Sequence, residues 1–230
     1  MSAPAAVLFD MDGTLVDTEV LWWRTTEEVA GRLGHRLGKA DAPEVVGRAV
    51  ADTAAHLVRA AGAAAHLVRA AGAAADPGAV ARELTEGFFR RVAAGAPVRP
   101  GARRLLIALE TLGVPFALVS ASPRVVVDQV VGGALAQVPF AFTLSADDTV
   151  RTKPHPDPYR TAAARLGLEP GECVAVEDSP DGAASAEAAG CPVLVVPSLL
   201  EVPRSAARTF ASSLEEVTPE LLHGLRRTAR

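Results

Sequence analysis

Two pairs of acids stand far apart in the chain. Asp10 and Asp12 lie in Asp10-Met11-Asp12-Gly13-Thr14, and Glu177 and Asp178 lie in Val176-Glu177-Asp178-Ser179. Each pair follows a short apolar run, beginning at Ala5 and at Cys173. Residues two apart on a strand point the same way, so Asp10 and Asp12 repel unless a cation or a shared proton relieves them. Taken alone, Asp-x-Asp-Gly fits an idle acidic turn as well as a metal-assisted site. Two further positions narrow the choice. Ser120-Ala121-Ser122 offers a hydroxyl with backbone donors beside it, a set suited to phosphate oxygens. Lys153-Pro154-His155-Pro156 holds one of only two lysines in a chain with 21 arginines. A compact ammonium there does work that a planar guanidinium would not.

The elements that must position these residues follow from the apolar pattern. Runs at Ala5 to Asp10, Phe116 to Ser120, Ala141 to Ser145, Cys173 to Glu177 and Pro192 to Val196 read as buried strands. Gly113, Gly167 and Gly190 each close a helix-like segment a few residues before a strand, as a C-cap glycine does. Strand, helix, glycine, strand, repeated, is an α/β pattern with a parallel sheet. All four chemical positions then fall at carboxyl ends of strands or in the loops beyond them, where such sheets bind ligands.

More than 100 residues separate the starts of the first two strands, far beyond a single crossover. Between them, Leu21, Trp22, Val29 and Leu33, then Val80, Leu84, Phe88 and Val92, recur at helical spacing. This assigns an inserted all-α cap to residues 16–95 and the core to 1–15 and 96–230. Inside the cap, Ala54 to Ala63 is repeated without change as Ala64 to Ala73. Ten residues leave two copies offset by about 80° on one helix, so the repeat reads as a duplication tolerated at a helix end or loop. Nor do His56 and His66 have the i, i+4 spacing of helical metal ligands.

Composition bounds the rest. The 230 residues are 49% hydrophobic and 22% charged with a net charge of -4, the profile of a globular chain with a substantial core. Scattered arginines in an acidic chain argue against a nucleic-acid groove. No run is long and apolar enough for a membrane helix, and no basic stretch precedes the first apolar run as in a signal peptide. Cys173 and Cys191, both in apolar runs, read as reduced core thiols of a cytoplasmic protein.

Together these residues resemble the haloacid dehalogenase superfamily, in particular its phosphatase-type members with a helical cap after the first strand. The resemblance rests on Asp10-Met11-Asp12-Gly13-Thr14-Leu15-Val16-Asp17-Thr18-Glu19, Ser120, Lys153-Pro154 and Val176-Glu177-Asp178-Ser179, and spans nearly the whole chain. It implies a Rossmann-like core, Asp10 as nucleophile and Asp12 as general acid/base. It further implies Ser120, Ala121 and Lys153 on the phosphate, and Mg²⁺ held by Asp10, Asp12, Asp178 and Glu177. Val46-Gly47-Arg48 resembles the specificity loop of this branch, which makes Arg48 a candidate substrate contact. The expected activity is hydrolysis of a small phosphorylated metabolite, such as a sugar phosphate, by a monomer. The alternatives are a sugar-phosphate mutase of the β-phosphoglucomutase type and a noncatalytic phosphate-binding module. Mutases of that type carry a histidine where Trp22 stands here, and the complete set of acids argues against the noncatalytic module.

Overall fold

The computed structural model describes residues 4–68 and 75–225, with the backbone alone at 64–68. Its strands are β1 (Ala6–Phe9), β2 (Phe116–Val119), β3 (Thr143–Leu144), β4 (Cys173–Glu177), β5 (Val193–Val195) and β6 (Arg208–Phe210). Helices α1 (Glu19–Arg32), α2 (Ala42–Val45), α3 (Val50–Val68) and α4 (Pro77–Ala93) lie between β1 and β2. The remainder are α5 (Ala102–Thr111), α6 (Arg124–Gly132), α7 (Asp157–Arg165), α8 (Pro180–Ala189) and α9 (Pro219–Leu225). The strands form one sheet in the order β3-β2-β1-β4-β5-β6, every neighbouring pair parallel. Strand order therefore reverses between β1 and β4, and a ligand crevice opens at the carboxyl end of such a switch point.

Residues on alternate sides of each strand feed two separate cores, as the two-residue period of a strand requires. Val7, Phe9, Phe116, Leu118, Val174 and Val176 pack on one face with α5, α6 and α9. Ala6, Leu8, Ala117, Val119, Cys173 and Ala175 pack on the other with α7 and α8. These apolar runs are buried on both sides, which is why they lack polar alternation. Cys173 and Cys191 are buried thiols, with no disulfide between them. Burial pushes the Cys191 thiol up to about 12.

The inserted helices join the first of these cores. Val80, Leu84, Phe88 and Val92 form one buried stripe along α4, whose first turn is capped by the Asp76 carboxylate on the N–H groups of Gly78 and Ala79. Trp22 of α1 lies edge-on against Phe88 at 5.2 Å, and its indole N–H donates to the Val45 carbonyl at 2.8 Å. Both ends of the insertion leave the core side by side. Asp17 N–H donates to the Pro97 carbonyl at 2.8 Å, Arg99 N–H to the Leu15 carbonyl at 2.9 Å, and Val16 bridges Val98 in antiparallel fashion.

Two expectations change. β3 covers two residues of the Ala141 to Ser145 run, because Ala141 and Phe142 precede the ladder and Ser145 turns to cap the loop after it. β6 adds a strand that has no sequence signal: Arg-Thr-Phe at a sheet edge is half-exposed and shows no apolar run. The first repeat copy lies wholly within α3, whose described residues run to Val68, inside the second copy. Its alanine and leucine content favours a helix, and Leu57 is fully buried. Residues 69–73 of the second copy, and the side chain of His66, lie outside the described residues.

Candidate active site

β1 delivers Asp10 to the sheet edge, where its N–H still donates to the Val176 carbonyl of β4 at 3.0 Å. Phe9 is level with Val176 and with Leu118, so Asp10, Glu177 and Val119 come into one row. Lys153 reaches that row from the loop before α7. Its buried ammonium donates to Asp10 Oδ1 at 2.7 Å, Glu177 Oε1 at 2.6 Å and the Val119 carbonyl at 2.8 Å. Burial works against the lysine's charge, but Asp10 and Glu177 outweigh it and hold its pKa above the ordinary value.

Beyond Asp10 the chain must turn at once. Gly13 adopts φ 82°, and Leu15 and Val16 N–H groups fold back onto the Met11 carbonyl. A Cβ at Gly13 would lie 2.1 Å from Asp178 Oδ2, so the glycine supplies both the left-handed turn and the space that lets Asp178 approach. Asp12 is fixed by three hydroxyls. Thr18 donates to its Oδ1 at 2.6 Å, and Ser122 and Ser120 donate to its Oδ2 at 2.7 and 3.2 Å. Enclosure by protein and the nearby Asp10 raise the Asp12 pKa, with the three hydroxyls opposing.

Asp10, Glu177 and Asp178 offer carboxylate oxygens within 4.8 Å of one another, a group able to hold a cation. The donor set suits a hard, oxygen-preferring ion. Burial, with Asp10, Glu177 and Glu19 close by, pushes Asp178 well above the usual carboxylate range, and one lysine cannot neutralise the row. Asp10 Oδ2 is buried with no hydrogen-bond partner, an atom that a cation held by this group would satisfy. Glu177 is engaged more fully: Tyr159 O–H and Lys153 meet one oxygen, and Asp178 N–H donates to the other at 3.3 Å.

The cap closes over this row. Trp22, Val46, Arg48, Val50 and Phe88 face Asp10, Asp12, Ala121, Ser122, Lys153 and Asp178 across a cavity of about 60 Å³. Arg48 Nη1 pairs with Asp181 at the start of α8 at 2.7 Å, and its Nε donates to the Pro43 carbonyl at 3.0 Å. The adjacent Gly47, at φ 70°, runs so close to α8 that a Cβ there would lie 2.9 Å from Ser179 Cβ. Of the residues singled out in the sequence, Asp10, Asp12, Ala121, Lys153 and Asp178 meet at the cavity and Arg48 borders it. Ser120 and Glu177 stand one contact behind its wall, on Asp12 and on Lys153. Thr18, Ser122 and Tyr159 had no assigned role in the sequence. Tyr159 carried a usable signal as the chain's single tyrosine.

An all-parallel α/β sheet with a carboxylate-lysine row at its switch point, under an inserted helical cap, defines a class of hydrolase. Residues 4–190 match the model of the haloacid dehalogenase-like hydrolases, and the chain belongs to that family. It is 32% identical over 235 residues to hexitol phosphatase B of Escherichia coli O157:H7, covering 97% of this chain and 100% of that protein. CbbY of Rhodobacter sphaeroides, solved with xylulose-(1,5)bisphosphate, is similar with a TM-score of 0.77 and 25% identity, over 93% of this chain and 96% of that one. β-Phosphoglucomutase of Clostridium difficile shares the fold, with a TM-score of 0.79 at 18% identity over 97% of each chain.

Proposed function

We propose that this enzyme, a phosphomonoester hydrolase of its family, acts on a small sugar phosphate or similar metabolite through an aspartyl-phosphate on Asp10. The observation that carries the reading is the divided state of Asp10: one oxygen is held by Lys153, and the other is buried without a partner at the cavity wall. Asp10 attacks phosphorus, forming a carboxyl O–P bond as the ester O–P bond breaks. Asp12, with its raised pKa, gives its proton to the departing alkoxide. It then takes a proton from the water that cleaves the acyl phosphate, so one hard displacement becomes two easier ones. Lys153 offsets charge between Asp10 and the phosphoryl oxygens, with Ser120, Ser122 and the Ala121 backbone beside it. Asp10, Asp178 and the Asp12 carbonyl would hold Mg²⁺, which when bound lowers the repulsion between the acids and the phosphate. Glu177, taken up by Lys153 and Tyr159, serves to position the lysine.

The same reading keeps residues 16–95 as the cap and 1–15 with 96–230 as the core, acting as a cytoplasmic monomer. A hydrolase is favoured over a mutase by Trp22, whose N–H is committed to Val45 and whose ring packs on Phe88. The roles of the two aspartates are tested with p-nitrophenyl phosphate, whose leaving group needs little acid help. Asp12→Asn should accumulate a phosphoryl adduct on Asp10 by mass spectrometry, while Asp10→Asn should form none and fall to background. An adduct elsewhere, or parental turnover by both variants, would refute the assignment. A panel of phosphorylated metabolites with and without Mg²⁺ then identifies the substrate class.

A further inference from the structure

Outside the lining of the active-site cavity, the cap gathers a second set of ligand atoms. His35 follows α1, Asp41 sits at the start of α2, and His56 lies within α3. His56 Nε2 is 2.8 Å and His35 Nε2 3.1 Å from the same atom, Asp41 Oδ1, and the rings cross at 86°. All three ligand atoms lie within 4.8 Å of one another. A tetrahedral ion with bonds of about 2.0 Å separates neighbouring ligand atoms by about 3.3 Å, close to these spacings. The other oxygen of Asp41 accepts the Gly38 N–H at 2.8 Å, the kind of support that orients a metal-binding carboxylate. The three side chains are 12 to 20% exposed, so an ion and one water can reach them.

We propose that His35, Asp41 and His56 form a cap site for a divalent transition metal, Zn²⁺, with water as the fourth ligand. Two imidazoles and one carboxylate suit Zn²⁺ and not the hard ion fitted to the oxygen-only row beside Asp10. The site ties three successive segments of the cap together. It is also coupled to the active-site wall: Asp41 leads into α2, whose Val45 accepts the Trp22 indole, and Val46 and Arg48 line the cavity. Bound metal would therefore fix the segment that faces the substrate, without taking part in hydrolysis.

The test uses the full chain, stripped with chelator and then saturated with Mg²⁺ so that the oxygen site is filled. Added Co²⁺ should give a saturable visible band of tetrahedral intensity at one equivalent, and Zn²⁺ should displace it. Zn²⁺ should also raise the melting temperature and slow amide exchange over residues 35–48. His35→Gln and His56→Gln should each abolish the band, and Asp10→Asn should retain it. Absence of the band in the parent, its survival in the double histidine variant, or its loss in Asp10→Asn would each overturn the proposal. Should the histidine variants fail to fold, imidazole NMR of the parent decides: Zn²⁺ must shift both His35 and His56, and unmoved resonances overturn the site.

Discussion

Lys153 has three acceptors at 2.6 to 2.8 Å in a buried space, an arrangement that suits three N–H bonds diverging from one nitrogen. A guanidinium spreads its donors over a plane and is longer, so retaining the charge does not retain the geometry. Lys153→Arg should lose at least about 100-fold in kcat/KM, the scale of one misplaced electrostatic contact in a site of this kind. A melt within a few degrees of the parent would show that the loss is chemical, and parental turnover would remove Lys153 from the site. At this scale the sequence was informative for a physical reason. Asp10, Lys153 and Asp178 carry charges that cannot be buried without partners, so their presence at or beyond apolar strand ends is conspicuous. A hydroxyl has no such cost on a surface. Thr18 and Ser122 therefore became visible only when the turn at Gly13 and the β1–β2 register placed them on Asp12.

Single elements show the same dependence on context. The Gly13 turn is a backbone device: Gly13→Ala adds strain of about 1 kcal/mol or more at positive φ and forces Asp178 to move. A Mg²⁺ titration of activity should shift to higher concentration and the urea midpoint should fall; two unchanged curves would show that the turn does not set Asp178. The loop after β3 is held by Asp148, which accepts from the Ser145 hydroxyl and N–H and pairs with Arg124. Burial alone would raise its pKa, but these partners lower it from 3.8 to about 2. Its contribution to stability is thus complete above about pH 4 and disappears as pH falls through about 2. The urea-midpoint difference between parent and Asp148→Asn should shrink across that interval, and a difference independent of pH would contradict the assignment. Exposure limits the size of the effect, and salt should reduce it. β1, β2 and β4 were legible because burial on both faces leaves an unbroken apolar run, whereas β6 is defined by pairing at the sheet edge and not by its own residues.

For the whole molecule, the cavity between cap and core holds about 60 Å³, well below the roughly 300 Å³ of a typical small-molecule site. Arg48 and Asp181 form a contact across that boundary. Arg48→Ala should change KM several-fold while leaving the Mg²⁺ requirement of hydrolysis unaltered; an altered Mg²⁺ requirement would place Arg48 in the catalytic row instead. The insertion was legible from its length and helical spacing, but its closure against α8 depends on Gly47 and Ser179, which no periodicity connects. Because the segments at Val16 and Val98 meet as neighbours, the polypeptide departs from the sheet and rejoins it at nearly the same point. A change of length beyond Thr18, whose hydroxyl holds Asp12, therefore need not move the sheet edge that carries Asp10 and Glu177. The decapeptide Ala54 to Ala63 and its repeat, Ala64 to Ala73, fall inside that interval. A chain attached this way accepts a longer or shorter insert without re-threading its sheet, so long as Thr18 still reaches Asp12 and Arg48 still reaches Asp181.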